Sequence, residues 1–193
     1  MIMTEMFSMF LAAVLINNIV LSKFLGMCPF LGVSKKLSSA IGMGAAVIFV
    51  IFGASIFTYA IYYLVLEPNN LGYMKLITFI LVIAAFVQFT EMVIKKYSPS
   101  LYKALGIYLP LITTNCAVLF VALDNITSKL NFTEMLVNSI AVPAGFMLVL
   151  VIFSTIRERL DTADIPNAFK GNPIALIVAA VMALAFSAFA GLV

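Results

Sequence analysis

Long apolar stretches, separated by short clusters of charged residues, make up almost the whole chain. Five of these stretches contain no charged side chain, and a sixth contains only Lys75 and Glu91, near its two ends. A helix needs about 20 apolar residues to cross the hydrocarbon core of a bilayer. The pattern therefore predicts an all-α integral membrane fold with six transmembrane helices, at residues 6–22, 37–66, 71–94, 104–123, 135–156 and 171–193.

The composition supports a membrane protein and excludes several other classes. The 193 residues are 64% hydrophobic and 10% charged, whereas a soluble domain is about 45–50% apolar and about 25% charged. The chain has no His, which excludes a His-ligated haem, a His-based zinc site and a Ser-His-Asp triad. Its net charge of +3 is too small and too dispersed to indicate a nucleic-acid partner.

The basic residues predict the orientation of the helices. Three loops, at residues 34–38, 95–103 and 157–171, lie on one side and carry eight Lys or Arg residues, whereas the opposite side carries only Lys75 and Lys129. Because cytoplasmic loops are enriched in Lys and Arg, we expect these three loops in the cytoplasm and both termini outside. The first cation is Lys23, so the first apolar stretch is predicted to be a retained span and not a signal peptide.

The six helices can be divided into two halves of three, at residues 1–98 and 99–193, which then enter the membrane from opposite sides. Such an arrangement is an inverted repeat. One short match supports it, because residues 17–21 (NNIVL) resemble residues 115–119 (NCAVL) at three of five positions. The sequence thus predicts two inverted three-helix repeats within a single membrane domain.

The apolar run that contains the first predicted helix continues past Lys23 and is longer than the membrane requires. The run from residue 6 to residue 33 contains 28 residues and would extend about 42 Å as a straight helix. Gly26, Pro29 and Gly32 lie in its second part, and Pro removes a backbone donor. Irregular backbone at membrane depth is tolerated only where it is buried in protein or lines a cavity. We therefore expect a broken helix and a protein-buried site at residues 23–34, and a second break near Pro110 in span four.

Cys28 and Cys116 are the only thiols, and each lies in the first span of its half, near a helix-breaking residue. Two interpretations of these residues are open at this point. In the first, they are small hydrophobic side chains in the membrane. In the second, they are half of a thiolate site. A two-iron cluster takes four Cys ligands, so the second interpretation requires a second chain.

Five segments resemble a known family. They are residues 17–21 (NNIVL), 23–36 (KFLGMCPFLGVSKK), 88–92 (QFTEM), 105–117 (LGIYLPLITTNCA) and 156–160 (IRERL). These segments are similar to signature sequences of the A subunit of the Rnf electron-transport complex. The resemblance covers essentially the whole chain, and the length and the number of spans agree with it. The D and E subunits of the sodium-pumping NADH:quinone oxidoreductase are related to this family.

The resemblance implies an activity and a set of partners. Rnf complexes move electrons between reduced ferredoxin and NAD in the prokaryotic cytoplasmic (inner) membrane, and they couple this flow to Na⁺ or H⁺ translocation. The chain would pair with the homologous, oppositely oriented E subunit, beside the B, C, D and G subunits and the lipid bilayer. It would be a non-autonomous part of an oxidoreductase, and we expect no flavin or haem in it.

The resemblance also implies a cofactor. In the related quinone-reductase family, the homologous pair holds a [2Fe-2S] cluster within the membrane, with two Cys from each of the two chains. Those Cys match Cys28 and Cys116, and the other two ligands are expected from the homologous partner. Asn18, Thr114 and Asn115 could donate hydrogen bonds to the sulfurs, or they could cap broken helices.

Lys23 and Glu91 are charged residues in or next to the predicted spans, and each has two interpretations. Lys23 lies five residues before Cys28. It could compensate the charge of the cluster, or its long side chain could extend to an interface. Glu91 precedes Lys95 by four residues, which is a favourable spacing for a helical ion pair. The alternative for Glu91 is a place on the path of the coupling ion.

Two other functions compete with the redox hypothesis. The first is a small inverted-repeat secondary transporter, because transporters share six spans, inverted repeats and broken helices. A transporter would purify without iron or sulfide. The second is a passive scaffold subunit with structural cysteines, in which Cys28→Ser and Cys116→Ser would leave electron transfer intact.

Overall fold

The computed structural model describes residues 2–69, 72–97, 112, 115–163, 166 and 169–188. Within these residues every regular element is helical. The α-helices are α1 (Ile2–Leu11), α2 (Ile19–Lys23), α3 (Met27–Val33), α4 (Leu37–Ile61), α5 (Lys75–Tyr97), α6 (Cys116–Thr127), α7 (Phe132–Leu160) and α8 (Asn172–Ser187). Two π-helical segments, Ala12–Ile16 and Tyr62–Leu66, continue α1 and α4, and a 3₁₀ turn at Gly72–Met74 precedes α5.

In the described residues, three helices are long and apolar enough to cross a membrane: Leu37–Leu66, Gly72–Val93 and Phe132–Leu160. Each exceeds the length of about 20 residues that a hydrocarbon core requires. Three shorter apolar helices, Met6–Ile16, Cys116–Thr127 and Asn172–Ser187, fall in the other predicted stretches. The predicted all-helical membrane fold is thus confirmed, while six complete spans in two inverted repeats stay a prediction.

The helix of the first apolar stretch is interrupted twice. At Asn17 and Asn18 the backbone leaves the helical conformation, and α2 begins at Ile19 with Asn18 as its N-cap. At Phe24 and Gly26 the backbone passes through the left-handed region, with φ of 54° and 79°, before α3 begins. Gly26 adopts this conformation at no steric cost because it has no Cβ, whereas few bulky residues adopt the conformation of Phe24.

Two residues at these interruptions were named from the sequence, Gly26 as a helix breaker and Asn18 as a possible helix cap, whereas Pro29 does not cause a break. Pro29, which we expected to break the helix, is buried in the first turn of α3. There its missing N–H removes no intrahelical hydrogen bond, because the first N–H groups of a helix have no acceptor within it. The separate break that was expected near Pro110, in span four, falls outside the described residues. The helix α6 does begin at Cys116, with Asn115 as its N-cap.

Two of the charged clusters predicted to be loops begin inside helices. The last turn of α5 includes Lys95 and Lys96, and the last turn of α7 includes Arg157 and Arg159. Cations in this position are favourable because they complement the negative end of the helix dipole. The predicted loops at 95–103 and 157–171 are therefore shorter than the charge pattern indicated, because charge marks a membrane boundary and not the end of a helix.

The first of two compact units comprises residues 1–45 and 141–193. The buried rings of Phe30 and Phe153 stack with their centroids 4.3 Å apart and pack α3 on α7. Gly145 of α7 lies so close to the first helix break that an added Cβ would be 3.0 Å from Val14 Cα. Packing thus groups the chain differently from the predicted halves at 1–98 and 99–193, which stay a prediction.

The helix α8 packs on α2 within this first unit and buries Ala175 and Ala179. Small side chains allow such close approach of two helices. A cavity of about 200 Å³ lies between the first helix break and the end of α8, and its lining includes Asn17, Ser22 and Ser187. Irregular backbone at membrane depth requires burial or a cavity, and the first break meets this condition.

The second compact unit comprises residues 46–140. Gly53 of α4 allows the ring of Phe86 on α5 to approach, since an added Cβ would overlap with that ring. Asn138 Nδ2 donates a hydrogen bond to Asn125 Oδ1 at 2.8 Å, and Asn125 Nδ2 donates to Ser139 Oγ at 3.1 Å. All three side chains are buried, so these bonds link α6 to the first part of α7 in apolar surroundings.

Candidate thiolate site

Cys28 is the second residue of α3, and its side chain is exposed. The residue before the helix is Gly26, whose left-handed backbone turns the chain into α3. The two residues that follow the thiol, Pro29 and Phe30, are buried. The helix therefore presents the thiol at its surface while the next residues anchor it in the core of the first unit.

Cys116 is the first residue of α6, and its side chain is also exposed. The N-cap is Asn115, whose Oδ1 accepts a hydrogen bond from the backbone N–H of Ala117 at 3.0 Å. The following residues Ala117 and Val118 are buried in the second unit. Both thiols thus lie in the first turn of a helix, exposed, and next to buried residues.

Asn18 and Asn115 form the same local structure. Their backbone angles are φ −60° and ψ 117° for Asn18, and φ −70° and ψ 113° for Asn115. In both, the side-chain oxygen accepts from the N–H two residues later, at 3.2 Å in the case of Val20. The structure therefore aligns Asn115 with Asn18, one residue away from the register of the five-residue sequence match.

The side-chain amide nitrogens of Asn18 and Asn115 differ in the hydrogen bonds that they donate. Asn18 Nδ2 donates to the carbonyl oxygens of Val14, at 3.0 Å, and Gly145, at 2.9 Å. An amide nitrogen has two N–H groups, so Asn18 has none left for a sulfur. Asn115 Nδ2 is buried and has no hydrogen-bond partner within the described part of the chain. A buried, unpaired donor costs about 1–3 kcal/mol, so its position next to Cys116 calls for an acceptor.

The other predicted site residues lie in different places. Lys23 is exposed at the end of α2, within the short segment that leads from Asn18 to Cys28. Thr114 lies outside the described residues. Glu91 is half-buried in α5, next to the buried Thr90. The chain thus places Asn18, Lys23 and Cys28 on consecutive short segments, while Glu91 belongs to a separate helix.

Each of the two thiols has the donor chemistry of a thiolate site that other ligands would complete. Among the described residues, no group of three or more Cys, Asp or Glu side chains could hold a metal ion. The chain contains two Cys, so a site with four thiolates draws two from another chain. Both thiols are exposed on the isolated chain, which is the condition for a second chain to reach them.

One residue near this site was placed in a cytoplasmic loop from the sequence. Arg157 is only 5% exposed and contacts the end of α3, the helix that carries Cys28. The available signal was its spacing of four residues from Phe153, which places both side chains on one face of α7. As the first charge of a cluster after a long apolar run, Arg157 gave no indication of which residues would bury it.

Comparison with known proteins gives matches over nearly the full length. The family described as Rnf-Nqr subunit, membrane protein, matches residues 6–193. A relative from Acetobacterium woodii, named as the A subunit of a Na(+)-translocating ferredoxin:NAD(+) oxidoreductase complex, is 56% identical over 190 residues, which cover 98% of each chain. Relatives from Serratia proteamaculans and Aliivibrio fischeri, both named as the A subunit of an ion-translocating oxidoreductase complex, are 57% and 55% identical over 191 residues, or 99% of each chain.

Proposed function

The chain belongs to the Rnf-Nqr family of membrane subunits, and we propose that it is the A subunit of an ion-translocating ferredoxin:NAD oxidoreductase complex. The family match spans residues 6–193, and three relatives named as A subunits are 55–57% identical to the chain. These matches, together with the apolar helices, support a multi-pass membrane subunit of an oxidoreductase complex. The chain contributes to that activity as a part of the complex and not alone.

In this proposal, Cys28 and Cys116 each supply a thiolate to a [2Fe-2S] cluster, and the homologous E subunit supplies the other two. The observation that carries the proposal is that both thiols are exposed and lie in the first turn of a helix. The first N–H groups of a helix have no intrahelical acceptor, and this end of the helix carries partial positive charge. Both features favour the binding of a negatively charged cluster, most of all at Cys116, because α6 is the longer of the two helices.

The residues around the thiols have separate roles in this site. When bound, the cluster supplies one-electron redox chemistry within the membrane. Cys28 and Cys116 bind and orient it, and the buried residues Phe30 and Ala117 exclude water on this chain's side. Asn115 Nδ2, which has no partner within the described residues, can donate a hydrogen bond to a sulfur of the cluster. Hydrogen bonds to sulfur raise the reduction potential of an iron–sulfur cluster.

The thickness of the membrane explains why a carrier is needed there. The hydrocarbon core is about 30 Å thick, and a carrier near mid-depth divides it into two electron-transfer steps of about 15 Å. In the proposed complex, the B, C, D and G subunits complete the path between ferredoxin and NAD. Electron flow is coupled to Na⁺ or H⁺ translocation across the cytoplasmic membrane, with the basic loops in the cytoplasm and both termini outside.

The iron and acid-labile sulfide content of the purified complex tests this proposal. Cys116→Ser removes one thiolate, so we expect about two irons and about two sulfides fewer per complex, the content of one two-iron cluster. Thr127→Ser, at the exposed far end of the same helix, is the matched control and should keep the full content. An unchanged content in Cys116→Ser would make the cysteines structural and would support the scaffold or the transporter.

A further inference from the structure

Arg157 is a buried cation in the last turn of α7, only 5% exposed. A charge taken out of water is unfavourable unless hydrogen bonds replace those to the solvent. Such a residue is therefore tied closely to the groups around it. All of its contacts described below lie within the first compact unit, residues 1–45 and 141–193.

The guanidinium of Arg157 binds the end of α3. Its Nη1 donates to the carbonyl oxygen of Leu31 at 2.7 Å and to Ser34 Oγ at 2.8 Å. The last carbonyls of a helix have no intrahelical donor, and this end carries partial negative charge. Arg157 thus satisfies an unpaired carbonyl and complements the dipole of α3. A longer contact of 3.4 Å joins Nη2 to Asn172 Oδ1, at the start of α8.

A second contact joins α3 to α7, one turn earlier along α7 than Arg157. The stacked rings of Phe30 and Phe153, both essentially buried, join α3 to α7. Phe153 and Arg157 are four residues apart and so share one face of α7. That face therefore holds α3 at two successive levels, through the stacked rings and through the guanidinium.

The next residue of α7 secures the connection that follows α3. Glu158 Oε1 accepts a hydrogen bond from the backbone N–H of Leu37, the first residue of α4, at 3.1 Å. A carboxylate at a helix N-terminus is favourable for the same reason that a cation is favourable at a C-terminus. Arg157 and Glu158 together bracket the short connection between α3 and α4 at its two ends.

We infer that Arg157 is a positioning residue for the Cys28 thiol. The helix α3 has only seven residues, and a helix of this length is not stable by its own hydrogen bonds. Its orientation, and with it the direction of the thiol, depends on the contacts with α7. The consequence for a cluster rests on the function proposed above, whereas the positioning of Cys28 does not.

The mobility of a nitroxide label on Cys28 tests this inference in the full-length, iron-free chain. The label is attached in a Cys116→Ala background, and a second sample carries it on Cys116 in a Cys28→Ala background. For Arg157→Gln we expect about a tenfold rise in the ratio of mobile to immobile label at Cys28, the shift that accompanies loss of one charge-assisted hydrogen bond. The ratio at Cys116 should stay unchanged.

Three further variants separate positioning from general loosening. Arg159→Gln removes an exposed cation from the same turn and should leave both labels unchanged. Arg157→Lys keeps the charge but loses the planar fork, so the Cys28 label should show intermediate mobility. Ser34→Ala removes one acceptor and tests the same contact if Arg157→Gln does not fold. We expect a smaller rise in mobility at Cys28 only.

Two results would overturn the inference. The first is no change in mobility at Cys28 in any Arg157 or Ser34 variant. The second is an equal rise at Cys28 and Cys116, which would mean a general loss of packing. Neither result depends on iron, so a failure of this inference is distinct from a failure of the cluster proposal, which the iron and sulfide content decides.

Discussion

The side-chain amide of Asn18 donates a hydrogen bond of 2.9 Å to the backbone carbonyl oxygen of Gly145, 127 residues later in the chain. This bond ties the first helix break to the middle of α7. It forms because Gly145 has no side chain, since a Cβ there would lie 3.0 Å from both Asn18 Nδ2 and Val14 O. The polar break in an apolar stretch is thus held by one amide and one glycine.

The close approach at Gly145 leads to a stability prediction. Gly145→Ala places a methyl group against backbone atoms of Val14, which cannot move as a side chain can. We expect the free energy of unfolding to fall by about 1–3 kcal/mol, as for other overpacked sites. The measurement is unfolding of the purified chain by denaturing detergent in mixed micelles.

Gly42→Ala is the matched control for this substitution, because nothing lies within 4 Å of an added Cβ in α4. There we expect a gain of about 0.5–1 kcal/mol, since Gly is unfavourable in the middle of a helix. If both variants unfold alike, the contact between Gly145 and the first break does not contribute to stability.

The buried pair Asn125 and Asn138 should be energetically coupled. Their hydrogen bond of 2.8 Å links α6 to α7. Polar contacts between membrane helices contribute about 0.6 kcal/mol on average and up to about 1.7 kcal/mol. A double-mutant cycle with Asn125→Ala and Asn138→Ala should give a coupling free energy between about 0.6 and about 1.7 kcal/mol in the same unfolding assay. Strict additivity of the two single changes would refute the predicted coupling.

The amide of Asn115, which has no hydrogen-bond partner within the described residues, should influence the redox potential. Asn115→Ser keeps a hydroxyl that can cap α6 but removes both amide donors. If Nδ2 donates to a sulfur, the loss of one hydrogen bond makes the midpoint potential more negative by about 20–60 mV for a one-electron couple. A redox titration followed by EPR measures the shift.

Asn69→Ser serves as the control for that titration. Asn69 is exposed, and its amide donates to the carbonyl oxygen of Val65. This change should therefore leave the midpoint potential of the cluster unchanged. A potential that is equal in Asn115→Ser and wild type would make Asn115 a helix cap and nothing more.

The apolar pattern predicted the helices well because bilayer thickness sets the length of a span, which a local count of residues measures. A break was predicted at residues 23–34 from Gly26, Pro29 and Gly32, and the structure has one there, at Phe24 and Gly26. The interruption at Asn17 and Asn18 lies before that region and was not predicted. The visible signal was an Asn within an apolar run, since Asn is a preferred N-cap. Proline gave a misleading signal because its effect depends on its place in the helix.

The burial of Arg157 could not be predicted from local sequence. Its acceptor on Leu31 lies 126 residues earlier in the chain, and only the packing of α3 on α7 brings the two together. A basic residue after an apolar span is ordinarily a boundary charge, and Arg157 has the same sequence signature. For the same reason, the sequence does not show that the amide of Asn18 is engaged while that of Asn115 finds no partner among the residues that the structure describes.

Low-temperature EPR of the dithionite-reduced complex tests most directly whether Cys28 and Cys116 are cluster ligands. We expect a two-iron signal in the wild type that is lost or altered in both Cys28→Ser and Cys116→Ser, with the signals of other clusters unchanged. Met27→Leu, adjacent to Cys28 in α3, should keep the wild-type spectrum. Identical spectra in the wild type and both serine variants would contradict the proposed ligation and leave the two thiols without a redox role.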